Sequence, residues 1–348
     1  MKKSTIKDVA KHAKVSIATV SRVINNSPLA STESKRKVMQ AIKELGYEPN
    51  ALARGLVSRK SNTIGVLIPD VSNQFFAKVF RGMEDAVHQK NSNVFICNTD
   101  AKKERMLRYI KFLREKQVEG VIFTSEVVSK EYYEALASLK VPVVLVATES
   151  KEFKLPAVKA NDVLAVKDAI DYFVKYGHRE IGMISGPLED KIAGFARYEG
   201  FQLALKEHGI PFKKENVMFG DYRFDSGRKA LRKLLETNSK ITAVFASSDE
   251  MAIGAIVEAS KMGYCLPAEL SVLGYDNVYL SKMSNPALTT VDQHLYQMGY
   301  TGVELLFEMI EQLEEKGLER YQGKTVYIPH KIIERESVST PNRNIFQA

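Results

Sequence analysis

The chain has 348 residues, 45% of them hydrophobic, which is enough for two or three domains with sizeable cores. No apolar run is long enough to span a bilayer and the N-terminus has no signal-peptide apolar core, so a cytoplasmic location and no membrane partner are expected. Residues 1–60 hold 13 Lys and Arg against 4 Asp and Glu, a net +9, whereas the whole chain is only +8.

A basic module on a near-neutral remainder is the electrostatic footprint of a nucleic-acid binder. Its cations gain affinity by releasing counterions from phosphate. A lipid-surface patch would also be basic, but the apolar residues of this segment are spaced for a compact core, not for one lipid-facing stripe. Cys97 and Cys265 lie far apart in the sequence and are expected as reduced thiols. The His and Cys residues show no HxxxH or CxxC spacing, so neither a metal site nor a cofactor is expected.

The first predicted helix follows Thr5, which can cap it, with Asp8 three residues on to complete a capping box. Ile6, Val9, Ala10 and Ala13 fall at i, i+3, i+4 and i+7, which makes one buried stripe. Ser16 caps a second helix, and Val15 and Val20 can form a hydrophobic staple across that cap. Val20, Val23 and Ile24 turn inward, which leaves Ala18, Ser21, Arg22 and Asn25 outside. Small residues for close approach and polar ones for base edges and phosphates suit a helix in a major groove. A third helix is capped by Ser31 or Thr32, buries Val38, Ala41, Ile42 and Leu45, and stops at Gly46. After a break at Tyr47-Glu-Pro-Asn50, residues 50–58 have helical spacing but contain Gly55. So short a helix is marginal in water and folds only against a partner. Residues 58–62 read as a linker.

From Thr63 the pattern changes to short apolar strands alternating with longer amphipathic helices. Strands are predicted at 64–69, 94–97, 120–123, 143–146, 181–185, 243–246 and 271–274. Helices are predicted near 75–90, 103–116, 130–139, 163–176, 195–208, 226–237 and 249–262. One more helix is expected at 292–316, with closing strands at 325–335. This alternation indicates parallel sheets covered by helices on both faces. The strand count exceeds one comfortable sheet, so two similar α/β halves are expected, 63–161 and 162–291. Their ligand crevice would lie at the carboxyl ends of the strands.

The stretch Thr5-Ile-Lys-Asp-Val-Ala through Thr19-Val-Ser-Arg-Val-Ile-Asn25 resembles the lactose-repressor/purine-repressor family of bacterial transcriptional regulators. The likeness continues in Tyr47-Glu-Pro-Asn-Ala-Leu-Ala-Arg-Gly-Leu56, Gly65-Val-Leu-Ile-Pro-Asp-Val-Ser-Asn-Gln-Phe-Phe76 and Gly177-His-Arg-Glu-Ile-Gly182. It extends to Ser248-Asp-Glu-Met-Ala-Ile-Gly254 and Leu273-Gly-Tyr-Asp-Asn277, and so covers nearly the whole chain. Within the family it is most similar to the catabolite-control branch of Gram-positive bacteria. The resemblance implies a helix-turn-helix domain at 1–48 and a hinge helix and linker at 49–62. It implies a periplasmic-binding-protein-like core, with an amino-terminal lobe of 63–161 plus 292–324, a carboxyl-terminal lobe of 162–291 plus 325–340, and a tail at 341–348. It also implies a homodimer on a pseudo-palindromic operator of double-stranded DNA, and a small effector, a sugar or sugar phosphate, between the lobes.

Carried over by motif, Ile17 and Ala18 start the base-reading face and Arg22 is the groove-facing basic position. Thr5, Ser16, Thr19, Ser21, Asn25 and Ser31 match phosphate-contacting positions. Asn50, Ala53 and Leu56 match the hinge, where Leu56 would wedge between base steps. The bland alternative for Ile17 is a core residue, since it lies three positions before Val20. In the crevice, the resemblance points to Asn73, Phe75, Phe76, Arg197, Tyr222, Ser248, Asp249, Asp276 and Gln293 as effector contacts. Arg and Asp supply the paired donors and acceptors that sugar hydroxyls need, and an aromatic covers a ring face. The alternative reading of the set is a buried Arg–Asp pair with ordinary core aromatics.

Two departures from the family pattern matter. Where many sugar-binding members place an Asp after strand 143–146, this chain has Ala147-Thr148-Glu149. Members of the catabolite-control branch use a phosphorylated phosphocarrier protein as corepressor; here Glu304 stands where an arginine is expected and Lys90 where a tyrosine is expected. An acid facing a phosphoserine repels it, so a pathway-specific, sugar-responsive repressor is favoured over that alternative. An enzyme is not expected, because the chain lacks GxGxxG after a strand, GxxxxGK[ST] and a GxSxG elbow; Gly182-Met-Ile-Ser-Gly186 has the wrong spacing.

Overall fold

The computed structural model describes residues 4–24, 27, 29–47, 61–316 and 323–341, which fall into two compact units divided at Ser61. The expected hinge at 50–58 lies outside the described residues, as do Asn25 and the tail beyond 341.

The described residues of the first unit form three helices, α1 (Ile6–Ala13), α2 (Ile17–Ile24) and α3 (Thr32–Leu45). Each begins where a hydroxyl can satisfy a free backbone N–H. Thr5 and Asp8 form the reciprocal capping box, Ser16 Oγ accepts from Thr19 N at 3.0 Å, and Ser31 Oγ accepts from Ser34 N at 3.2 Å. α3 ends at Gly46 in the left-handed conformation. Val9, Ala10, Ala13, Val20, Val23, Val38 and Ala41 close the core, with Ile6, Val15, Ile24, Ile42 and Leu45 packed around them.

Among the described residues, the second unit has two sheets of six strands each. The first lobe contains β1 (Thr63–Ile68), β2 (Asn93–Asn98), β3 (Gly120–Thr124), β4 (Val143–Val146), β5 (Ala157–Ala160) and β11 (Thr325–Ile328), in the order β11-β5-β4-β3-β1-β2. The second contains β6 (Ile181–Ser185), β7 (Val217–Phe219), β8 (Ala243–Ala246), β9 (Ser271–Tyr275), β10 (Thr289–Asp292) and β12 (Lys331–Ile333), in the order β12-β10-β9-β8-β6-β7. All pairings are parallel except that of β10 with β12. The central strands β1, β3, β4, β6, β8 and β9 are buried at almost every position, as parallel strands covered on both faces must be.

Two helices cover each face. In the first lobe α4 (Gln74–Gln89) and α11 (Leu295–Lys316) lie on one face, and α5 (Lys103–Glu115) and α6 (Lys130–Ala137) on the other. In the second, α7 (Asp162–Lys175) and α8 (Gly194–Glu207) oppose α9 (Phe224–Thr237) and α10 (Asp249–Lys261). α4 and α11 cross so closely that a Cβ on Gly82 would sit 2.0 Å from the Tyr296 carbonyl oxygen, and one on Gly299 1.9 Å from that of Val79.

The chain crosses between lobes three times, after β5, after β10 and between β11 and β12. The last crossing corrects the expected boundary. Thr325–Ile328 does not belong with the carboxyl-terminal lobe: it runs parallel to β5, from Thr325 opposite Ala157 to Ile328 opposite Ala160, and completes the first sheet. Only Lys331–Ile333 joins the second sheet. The short strands β5, β7 and β10, not anticipated from the sequence, supply the remaining pairings.

Candidate functional site

In the first unit, packing of Val20 and Val23 against α1 and α3 fixes which side of α2 faces outward. Ser16, Ile17, Ala18 and Arg22 are exposed, and Thr19 and Ser21 are half-buried on the same helix. Ile17 is 46% exposed, which rules out the core role its spacing from Val20 allowed. Thr5 and Ser31 are exposed caps at the starts of α1 and α3. Exposed hydroxyls beside free N–H groups at helix N-termini suit phosphate oxygens. Asn25, Asn50, Ala53 and Leu56 lie outside the described residues.

In the second unit, a cavity of about 100 Å³ opens between the lobes at the carboxyl ends of the strands. Asn73 caps α4 by accepting from Phe75 N at 2.8 Å, which sets Phe75 and Phe76 in an edge-to-face pair with centroids 5.0 Å apart. Both rings line the cavity. Opposite them stands Arg197, 6% exposed. Its Nε donates to Asp162 Oδ1 at 2.9 Å, its Nη1 donates to the Ser247 carbonyl at 2.6 Å, and its guanidinium lies 4.0 Å from the centre of the Tyr275 ring. Arg197 is thus both a member of a buried Arg–Asp pair and a wall of the cavity, with donors left over for a ligand.

Tyr222, held at φ +66°, donates its hydroxyl to Asp190 Oδ2 at 2.6 Å, and burial pushes that phenol up. Ser248 caps α10 and donates to the Tyr222 carbonyl at 3.1 Å. Asp276 sits at φ +119°, a conformation that favours glycine. Gln293 Nε2 donates to its Oδ1 at 2.7 Å, which leaves Oδ2 for a ligand. Burial pushes the Asp276 carboxyl up to about 7, against the opposing pull of Arg197 and Gln293.

Seven of the nine expected contacts, Asn73, Phe75, Phe76, Arg197, Tyr222, Ser248 and Asp276, therefore line one cavity. Asp249 and Gln293 do not. Gln293 stands behind Asp276 as its hydrogen-bond donor. Asp249 is fully buried, accepting from Val278 N at 2.8 Å and from Thr290 Oγ1 at 2.5 Å, and burial beside the Asp276 charge holds its carboxyl well above the usual range. It ties the end of β9 to β10 and lies outside the cavity lining. The cavity also uses Ser125, Asp190, Ala193, Glu250 and Val278, none of which was picked out from the sequence. Position immediately after a strand was the available signal for Ser125. Asp190 stands in the loop after β6, where its Oδ1 accepts from Ile192 N and Ala193 N at 3.0 and 3.1 Å. Glu250 adjoins Asp249, and both acids carry the same signal at the start of a helix after a strand.

Across the mouth of the cleft, Arg223 of the second lobe pairs with Asp70 of the first and approaches Glu250 at 3.6 Å. Lys78 Nζ donates to the Asn277 carbonyl at 3.0 Å. Such a lining, with a guanidinium, carboxylates, hydroxyls and a pair of aromatic faces, suits a small polyhydroxylated molecule. It includes no His or Cys.

The model of the family described as "Periplasmic binding proteins and sugar binding domain of LacI family" matches residues 61–336, and that of "Bacterial regulatory proteins, lacI family" matches residues 5–50. The chain belongs to the LacI family. It is a DNA-binding transcriptional regulator, with an N-terminal helical reader followed in the chain by two parallel-sheet lobes. Catabolite control protein A of Priestia megaterium is 40% identical over 333 residues, 96% of this chain and 98% of that protein. Among solved structures, the lac repressor dimer bound to operator and an anti-inducer is 25% identical, with a TM-score of 0.86 over 97% of this chain and 100% of its own. The cellobiose complex of the transcriptional regulator CelR is 28% identical, with a TM-score of 0.73 over 96% and 100%. Among the described residues no helix is long and apolar enough to cross a membrane, and no group of three His, Cys, Asp or Glu could hold a metal.

Proposed function

We propose that this LacI-family regulator is a homodimeric repressor whose two α2 helices read the halves of a pseudo-palindromic operator, under the control of a sugar-class effector in the cavity between the lobes. The observation that carries this reading is the outward face of α2. Ile17, Ala18 and Arg22 are exposed on a helix whose other side is locked into a core, the arrangement a major-groove reader requires. The lac repressor neighbour is a dimer on its operator and the CelR neighbour holds cellobiose, which supports the dimer and the class of effector. A catalytic role is not part of this reading.

Effector and operator are coupled by the angle between the lobes, which sets how readily residues 50–58 fold on DNA. Coupling of this kind is typically about 1–3 kcal/mol and reciprocal. The corepressor alternative is not favoured. Glu304 is exposed on α11, and Lys90 is engaged by Glu311 at 3.4 Å and lies 5.8 Å from the Phe307 ring centre.

Fluorescence anisotropy with an operator selected from random duplexes tests the reading. Arg22→Ala is expected to weaken specific binding by about 1–3 kcal/mol. Leu56→Gly is expected to weaken operator binding while leaving effector binding nearly intact. A chain that shows no preference for any palindromic fragment over random competitor, with or without candidate sugars, sinks the proposal.

A further inference from the structure

A second and larger cavity, about 540 Å³, lies beside the first between the same two lobes. It shares no lining residue with the effector pocket. The Asp162–Arg197 ion pair stands between them, with Asp162 on one side and Arg197 on the other. Its walls come from the loops after β3 and β4, from the crossover between β5 and α7, from β11 and from the start of α8.

Three features indicate that it is built for a ligand. The first is Lys159, which lines it with its side chain only 6% exposed. The Lys159 ammonium lies 3.4 Å from Asp162 and 3.6 Å from Glu149, farther than the usual 2.7–2.9 Å of a charge-assisted hydrogen bond. A buried ammonium held so loosely still has donors to give. The second is exposed apolar surface: Phe195 is 40% and Tyr327 53% exposed, both on the cavity wall. Side chains of this size at the rim of a polar cavity offer flat faces to a ring.

The third feature is charge balance. Glu149, Glu152, Asp162 and Glu199 line the cavity, matched by Lys151, Lys159 and Lys191 together with the Arg197 that neutralises Asp162. The lining itself carries one net negative charge, which the adjoining Arg197 offsets through Asp162, and it is rich in both donors and acceptors. A charged ligand would upset that balance and lose hydration on entry. An uncharged ligand bearing many hydroxyls would not.

We propose that this cavity is a second ligand site, separate from the effector pocket, that takes an uncharged saccharide. A ring of the saccharide packs against Phe195 and Tyr327, and a hydroxyl oxygen accepts from Lys159. The chain Glu149–Lys159–Asp162–Arg197 runs from this site to the wall of the effector pocket, so occupancy here bears directly on the guanidinium that would bind the effector.

The chain contains no tryptophan, so Phe195→Trp places a unique fluorophore at the rim of this cavity and Phe76→Trp places one in the effector pocket. Each full-length variant is titrated with glucose, cellobiose, maltose and trehalose, with glucose 6-phosphate as the charged comparison. Wild-type chain is titrated calorimetrically with the same compounds, so that the result does not depend on the reporter. The expected result is a saturable response of Phe195→Trp, matched by wild-type heats, to at least one uncharged sugar, with a midpoint different from any response of Phe76→Trp. Adding Lys159→Met should weaken that response about tenfold. Silence at Phe195→Trp and in the calorimeter for all four sugars overturns the proposal. So does one midpoint shared by both reporters, which would make the two cavities one site, or a Lys159→Met variant that binds as tightly as its parent. Operator binding is read separately by anisotropy, so failure of the repressor reading and failure of this site are distinguishable.

Discussion

Asp276 combines a left-handed backbone with a buried carboxyl, and both costs trace to the turn that brings it to the cavity after β9. Its acidity has a predictable consequence for stability. An ordinary unfolded Asp has a pKa near 3.9, and the folded value is about 7. The folded state therefore holds its proton more tightly, so this contribution is fully present below about pH 4, declines as pH rises through about 7, and is flat above. Asp276→Asn removes the dependence. The gap between variant and wild-type melting temperatures should widen in the variant's favour from pH 5 to pH 8, and parallel curves in a thermal-shift series would refute the assignment. The sequence located Asp276 because motif and strand position agreed. It misplaced Asp249 because a carboxylate at the start of a helix after a strand has the same signature whether it faces a ligand or, as here, caps Val278 N and Thr290.

At the scale of elements, the three-helix unit was legible almost residue by residue. Caps, staples and a 3.6-residue stripe are local, and Thr5, Ser16, Ser31 and Gly46 stand where their chemistry requires. The strands were legible where they form continuous buried runs. β5, β7 and β10 escaped because three or four residues carry too little periodicity to separate from a loop. The sequence marks β11 as a strand but does not carry its sheet, since the choice between β5 and β10 as partner is a matter of long-range packing. The α4–α11 crossing was not foreseen either, although Gly82 and Gly299 create it. Because an added Cβ there meets backbone carbonyls, which no rotamer change can move, Gly82→Ala or Gly299→Ala must push the helices apart. Each should cost about 1–3 kcal/mol in chemical denaturation; an unchanged midpoint would show that the crossing is less tight.

For the molecule as a whole, the cleft is bridged at its mouth by Arg223 and Asp70. The Asp70 carboxyl is held below its usual range by the Ser72 hydroxyl first and by Arg223 as well. With side chains 41% and 33% exposed, such a pair is worth no more than about 1 kcal/mol and is screened by salt. That is enough to bias, but not to lock, two lobes joined by three crossings. Arg223→Ala is expected to raise the radius of gyration of the ligand-free protein in solution scattering, and added salt should do the same to wild type. No change in either case would show that the other bridging contacts suffice.

The shared origin of the two closing strands has an implication for biosynthesis. Thr325–Ile328 and Lys331–Ile333 are neighbours in the polypeptide but finish different sheets. Neither lobe possesses all its strands until this stretch has left the ribosome. A product truncated upstream of codon 325 would therefore be left with bare edges at both β5 and β10, and unpaired edges invite aggregation. The reader, whose core is self-contained, would meanwhile be intact. One short stretch late in the chain thus closes the exposed edge of both sheets.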